Sequence, residues 1–223
     1  MVAKKNILVF GSSGHASVVI DCIEKEGTYA IACLADSFKK AGEGIMDYDI
    51  KGTEDDLPRL IKEFSLSGIF VAIGDNWVRK NLVEKISLIA PELEFVNAIH
   101  PSASIGKNVT LGKGIVVMAG SVINSGSQIS DFSILNTRCS IDHDCNIGNF
   151  SSIAPGATLG GNVVVGDFSA ISLGANVMHT IHIGKHSLIG AGALVNKNVS
   201  DYAVAFGVPA VEIRKRIAGE KYL

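Results

Sequence analysis

The 223-residue chain has little net charge, few cysteines and no long apolar run, and each shortage closes off a class of function. A formal charge of −2 leaves no basic stripe for nucleic acid, although a few convergent N–H groups can still build a local anion site. No apolar stretch approaches the ~20 residues of a membrane span, so membrane insertion is not expected. Lys4 and Lys5 lead only a short run at 6–10 that meets a glycine turn at once, which is not a signal peptide, and the expected compartment is the cytoplasm. The four cysteines, Cys22, Cys33, Cys139 and Cys145, lack metal-ligand spacing.

What the chain has in abundance is a period. Every sixth residue from Ile99 to Val195 is Ile, Leu or Val, seventeen in succession without a slip of phase. Six matches neither the 3.6 of a helix nor plain alternation, and belongs to the hexapeptide repeats of parallel β-helices. Each short strand turns its aliphatic residue into a shared interior, and each coil is stabilised mainly by the coils above and below. The position four further along is always small or β-branched, and Cys139 and Cys145 fall there, which reads them as packing. The position after each aliphatic is rich in Gly, Ser, Asn, Asp and Ala, as tight corners need.

Residues 1–98 read differently. An apolar strand at 6–10, the turn Gly11-Ser12-Ser13-Gly14-His15 and a helical pattern from Ala16 to a stop at Gly27 make a β-turn-α unit. A second strand near 29–34 leads to Asp36, where a nucleotide-binding fold of this kind places an acidic residue. A further strand at 68–73 runs into Gly74-Asp75-Asn76, which can cap a helix over 77–89. Strand tips and helix N-termini converge there, and their free N–H groups favour phosphate. The three-glycine dinucleotide fingerprint is absent, so the 11–15 turn reads equally as a ligand loop or as plain turn chemistry. Pro91 and Pro101 flank the passage into the repeat, which sets a boundary near 98, and a segment rich in Arg and Lys after Ala210, expected to be helical, closes the open end of the coil at 99–223.

Chemistry is most concentrated at Asp142-His143-Asp144, where two carboxylates could fix the tautomer of a histidine and raise its basicity. Three six-residue sides make one triangular coil, so Gly161 stands one coil above His143; its missing side chain leaves a gap, and its N–H could meet an oxyanion. The pair reads as well as a solvated corner and a corner glycine. His179 lies two coils from His143, roughly 10 Å away, too far to share a metal ion, and His182 and His186 read as surface residues. No three histidines converge, so no metal is expected.

Gly11-Ser12-Ser13-Gly14-His15, Ala72-Ile73-Gly74-Asp75-Asn76 followed by Arg79-Lys80, Leu135-Asn136-Thr137, the run 141–145 with Ile147-Gly148, and Gly207-Val208-Pro209-Ala210 together resemble the PglD/NeuD-type bacterial sugar acyltransferases, in order and over nearly the whole chain. The resemblance implies a Rossmann-like α/β nucleotide-sugar-binding domain, a left-handed parallel β-helix and a homotrimer with active sites between subunits. It implies acetyl-CoA as cosubstrate and a nucleotide-activated amino sugar as acceptor. Carried over by position, Gly11, Ser13, Gly14, His15, Asp36, Gly74, Asn76 and Arg79 would contact the nucleotide, and Asn136 would help place the sugar. His143 would be the general base, with Asp144 where those enzymes have Glu, and Gly161 would serve the thioester carbonyl. Leu173, Ala191, Val208 and Pro209 would line the acetyl-CoA path, and Ser152 stands where relatives often place a histidine. The activity so implied is N-acetylation of the 4-amino group of a 4,6-dideoxyhexose on a nucleotide, UDP first. O-acetylation of sialic acid or a related sugar, and a non-catalytic nucleotide-sugar-binding trimer, remain the alternatives.

Overall fold

The computed structural model describes residues 4–221. It divides into two compact units, one running to Gly74 and from Val78 to Pro101, the other made of Asp75–Trp77 and everything from Ser102 onward.

In the first unit β1 (Lys5–Phe10), α1 (Gly14–Glu26) and β2 (Tyr29–Ala35) form the expected βαβ start. A short hairpin, β3 (Gly44–Ile45) with β4 (Tyr48–Asp49), and a 3-10 turn (Glu54–Asp56) precede α2 (Leu57–Phe64). Then come β5 (Gly68–Val71), α3 (Asn76–Ile89) and β6 (Glu94–Phe95). The sheet is parallel in the order β2-β1-β5-β6. Ile7 to Phe10 are all buried, as a central parallel strand covered on both faces requires. Helix α1 buries Ala16, Val19, Ile20 and Ile23, one face of a 3.6-residue period, and stops at Gly27, whose φ of 74° is the left-handed cap its N–H needs to reach Ile23 O. The chain leaves β1 toward β2 on one side and reaches β5 on the other. The carboxyl ends of β1 and β5 therefore flank a topological switch point, where open α/β sheets bind ligands.

The second unit is a left-handed parallel β-helix. Its strands are two residues long and end on the periodic aliphatics, and each pairs in parallel with the residues eighteen further on, as in Ser104↔Val122, Val122↔Ser140 and Ser140↔Thr158. The small slots do a second job. Ser121, Ser127, Ser133, Ser151 and Ser169 are fully buried, and each hydroxyl donates to a backbone carbonyl fifteen residues on. A hydroxyl that would be costly to bury is thereby satisfied. Cys139 and Cys145 occupy equivalent slots, and burial pushes the Cys139 thiol up to about 11.

Two features depart from the sequence reading. The C-terminal segment is not helical: Ala203–Gly207, parallel to the strand at Leu188–Ile189, turns into the antiparallel strand Ala210–Lys215. Val211 and Ile213 alternate with Glu212 and Arg214, a two-residue period that suits a strand, and the open sheet edge supplies the partner. His186, read as a surface residue, is half-buried in a stack of rings. Phe132, Phe150, Phe168, His186 and Tyr202 follow one another at centroid spacings of 4.8, 5.5, 4.6 and 4.8 Å, nearly parallel. The first four stand eighteen residues apart at corners of positive φ, so stacking offsets a conformation that bulky residues otherwise avoid.

Candidate active site

In the first unit the turn after β1 is drawn tight against the end of β5. Gly11 has φ 113°, and a Cβ there would lie 2.8 Å from the carbonyl oxygen of Ala72, so only glycine fits. The Ser12 hydroxyl donates to Asp36 Oδ2 at 2.6 Å, and the N–H groups of Phe38 and Lys39 donate to Asp36 Oδ1 at 2.9 and 3.1 Å. Burial would raise the Asp36 carboxyl, but these donors and the Lys39 charge outweigh it and hold the group below its ordinary value. The result is an ionised carboxylate fixed at the tip of β2.

Ser13 precedes α1 without a side-chain cap, and a Cβ on Gly14 would touch nothing within 4 Å. The leading N–H groups of α1 lie at this turn without a side-chain cap, and the helix dipole there favours an anion. Lys39 Nζ, held on Ser12 O at 2.8 Å, adds a cation that sequence reasoning overlooked. His15 is mostly enclosed, and its Nε2 has no hydrogen-bond partner. Desolvation, then the Arg79 charge, lowers its pKa to about 4, so the ring is neutral near pH 7.

Arg79 and Asn76 are placed otherwise than expected. Arg79 is buried and its Nη1 donates to the carbonyls of Ile73 and Gly74 at 2.8 and 3.0 Å, bracing the β5–α3 loop from behind. Asn76, also buried, accepts the Ser152 hydroxyl at 2.6 Å within the second unit. Beside Asp36 lies a cavity of about 230 Å³ whose lining includes Phe38, Glu54, Val78, Leu82 and Lys85. Only Asp36 of these was singled out from sequence. The available signal for the rest was an aromatic, Phe38, stranded in a polar loop.

In the solenoid His143 Nδ1 lies 2.8 Å from Asp144 Oδ2. Asp144 sits at φ 57°, a conformation Asp tolerates better than longer residues, so the shorter acid reaches the ring because its backbone turns toward it. Asp142 does not share that contact; its Oδ1 accepts from the His143 backbone N–H and from Asn124 Nδ2, both at 2.8 Å, and so steadies the corner. The bond to Asp144 and then the charge of Asp142 raise the His143 pKa. With Nδ1–H donated to the carboxylate, Nε2 is the basic nitrogen.

The gap expected above His143 is filled by the imidazole itself. A Cβ on Gly161 would lie 2.6 Å from His143 Nε2, so the glycine is there to seat the ring. The Gly161 carbonyl accepts from Thr180, while its N–H meets no acceptor among the described residues. Asn136, Leu173 and Ala191 belong to a different corner of the triangle, one side earlier in the coil, where Gly192 N–H bonds Leu173 O at 2.8 Å and stacks the last two. Val208 and Pro209 form the hairpin turn that follows the strand paired onto Leu188–Ile189. Leu173 and Val208 are exposed apolar side chains, suited to an apolar ligand arm. One solenoid therefore presents a carboxylate-paired imidazole at one corner and exposed apolar side chains at another. Among the described residues no group of His, Cys, Asp and Glu is placed to hold a metal ion, and no helix is long and apolar enough to cross a membrane.

Comparison with known proteins supplies the family. Residues 6–86 match the model of the PglD N-terminal domain. PerB of Caulobacter crescentus, solved with CoA and GDP-perosamine, is 36% identical, with 95% of this chain and 98% of that one covered at a TM-score of 0.86. The same enzyme has been solved with one histidine replaced by Asn or by Ala. The acetyltransferase domain of PglB from Neisseria gonorrhoeae FA1090, solved with acetyl coenzyme A, is 30% identical, with 95% and 100% covered at a TM-score of 0.85. A Bacillus subtilis (strain 168) UDP-N-acetylbacillosamine N-acetyltransferase is 33% identical over 106 residues, which are 47% of each protein, so the match spans about half the length of that relative. With a glycine-turn nucleotide-type sheet, a hexapeptide solenoid and near full-length identity of this order, the chain belongs to the PglD-type family of bacterial sugar acyltransferases.

Proposed function

We propose that this protein transfers an acetyl group from acetyl-CoA to the 4-amino group of a nucleotide-linked 4-amino-4,6-dideoxyhexose in the cytoplasm. Residues 1–98 would hold the nucleotide sugar and residues 99–223 would carry the transfer. The observation that carries this reading is the His143 arrangement: Nδ1 tied to Asp144 at 2.8 Å, Nε2 left basic, and the Gly161 N–H beside it. In that arrangement Nε2 takes a proton from the sugar amine as its nitrogen attacks the thioester carbonyl carbon. The C–N bond forms, the Gly161 N–H steadies the oxyanion, the C–S bond breaks, and the proton passes to the departing thiolate.

Gly11, Ser13, Gly14, His15, Asp36 and Gly74 would meet the phosphates and ribose, with Arg79 and Asn76 supporting the loop that presents Gly74. Asn136 would face the sugar, and Leu173, Ala191, Val208 and Pro209 the pantetheine arm. Because base and apolar track lie at different corners of one coil, a site between neighbouring copies of a homotrimer brings them together. The exposed apolar side chains of Val211, Ile213 and Ile217 support such assembly. The named relatives divide over the nucleotide, GDP for the Caulobacter enzyme and UDP for the Bacillus one. The test is release of free thiol from acetyl-CoA when the purified protein is offered GDP- and UDP-linked 4-amino-4,6-dideoxyhexoses in parallel, with sialic acid as a hydroxyl acceptor. Release with an amino sugar is expected; release with sialic acid alone would replace N-acetylation by O-acetylation, and silence throughout would leave a binding protein.

A further inference from the structure

The interior slots of the solenoid decide which way each corner peptide points. Ser121, Ser127, Ser133 and Ser169 donate from the core to the carbonyls of Asn136, Asp142, Gly148 and Gly184, each fifteen residues on. A trans peptide is planar with its C=O and N–H opposed, so a carbonyl drawn into the core turns the next N–H outward. At Thr137, His143, Asn149 and Lys185 that N–H is taken by a side-chain oxygen, from Asn136, Asp142, Asp167 and Asp201 in turn. Cys145 repeats the pattern with sulfur, its Sγ lying 3.2 Å from Gly160 O at the same fifteen-residue offset. The outward N–H here belongs to Gly161. The preceding residue and the one a coil above supply the acceptors elsewhere; here they are Gly160, which has no side chain, and the imidazole of His179. Cys145 Sγ also lies 3.7 Å from His143 O, so one buried sulfur spans the histidine corner and the glycine corner above it.

Resting on the acetyl-transfer reading above, we propose that Cys145 is a positioning residue of the active site, which from the core holds the Gly160–Gly161 peptide with its N–H turned toward the thioester oxygen beside His143. The thiol is buried and acts only through that peptide. Burial raises its pKa above the ordinary value, so it stays protonated and remains a donor. A hydrogen bond to the carbonyl end of an amide also polarises it, which strengthens the N–H at the other end.

The experiment compares Cys145→Val, Cys145→Ser and Ser133→Ala with the parent chain in steady-state acetyl transfer, with thermal unfolding of each followed by circular dichroism. Valine already fills the buried slot one coil above, at Val163, so Cys145→Val should fold; Cys145→Ala serves if valine overfills the slot, since Ala157 and Ala175 occupy equivalent ones. Without the thiol donor, turnover should fall by roughly tenfold, less than the 10²–10³ of losing an oxyanion donor outright, because the N–H is tilted and not removed. KM for acetyl-CoA and the acid limb of the pH–rate profile should stay in place. Cys145→Ser keeps a donor in the slot and should recover most of the turnover. Ser133→Ala removes the same kind of bond at a corner with no reacting group, and should lower the unfolding temperature without lowering turnover. Parental turnover in folded Cys145→Val, equal losses in the Val and Ser variants, or a shifted acid limb would overturn the inference while acetyl transfer stood. A parent chain that releases no thiol with any amino sugar would remove both.

Discussion

The two units solve the problem of placing reactive groups in opposite ways. In the solenoid, position in the sequence is position in space: eighteen residues are one coil, and a side chain at a corner has its neighbour above and below set by arithmetic. The interior is filled by the same few residue types throughout, so variation is confined to corners, and His143, Asp144 and Gly161 are corner residues. In the α/β unit the groups that matter come from three separated stretches, the 11–15 turn, the loop after β2 and the start of α3. They meet only because β1, β2 and β5 end side by side. Repetition makes chemistry addressable by register, whereas a sheet makes it addressable only through topology.

If the solenoid supplies chemistry and the α/β unit supplies recognition, the two must be separable by mutation. His143→Ala should give the largest effect, a fall in acetyl transfer of roughly 10²–10⁴, with nucleotide affinity unchanged. The ring is half exposed and fills no core position, so the fold should be retained. Steady-state turnover with saturating substrates, set beside nucleotide titration, checks this; parallel losses in both would merge the two roles. Next comes Gly161→Ala. Its methyl would stand 2.6 Å from Nε2, and the ring, half exposed, can swing aside without unfolding the coil. A displacement of about 1 Å in a base commonly costs on the order of 100-fold, so the loss should appear in turnover alone.

Gly11→Ala tests the other side. The new Cβ meets a backbone oxygen that cannot step away and sits at φ 113°, so the turn must distort at a cost of about 1–3 kcal/mol. Nucleotide affinity should fall by roughly tenfold, while circular dichroism of the solenoid strands and turnover at saturating sugar nucleotide stay close to those of the parent.

The same contrast decides what was legible in the sequence. The solenoid's strands, its eighteen-residue register and the His143/Gly161 pair could be read because one rule repeats through every coil. The ring stack is equally periodic, at Phe132, Phe150, Phe168 and His186, but spacing alone does not say whether rings at a corner stack or splay into solvent. At Ala203–Gly207 and Ala210–Lys215 the expected helix gives way to a hairpin, because the alternation of Val211 and Ile213, and not the basic composition, decides the element. In the α/β unit β1, α1, β2 and the start of α3 were legible from local signals. The cavity beside Asp36 was not, since Phe38, Glu54 and Lys85 share no motif and meet only through the fold. Arg79 shows the same limit: its place in a motif suggests a phosphate ligand, and only the fold shows that its Nη1 donates to the carbonyls of Ile73 and Gly74 in the β5–α3 loop.

The smallest effect is also the most discriminating, because it concerns tuning within the solenoid corner. The Asp144 bond is the largest cause of the raised His143 pKa, with the Asp142 charge second. If His143 is the base, transfer requires the neutral imidazole, so turnover should rise with pH through the His143 pKa, which is raised above its ordinary value. In Asp144→Asn the leading cause is removed and the pKa falls toward that ordinary value, which moves the acid limb of the pH–rate profile to lower pH. At the plateau the imidazole is then a weaker base and its tautomer is no longer enforced by a carboxylate, so turnover should drop, by less than about tenfold because the pair is solvent-exposed. Asp142→Asn should behave differently. Its Oδ1 touches the backbone N–H of His143 and not the ring, so the amide can keep that bond and the acid limb should move less. If the two variants shift the limb equally, the carboxylates act only as surrounding charge, and the 2.8 Å contact between His143 Nδ1 and Asp144 has no special part in orienting the base.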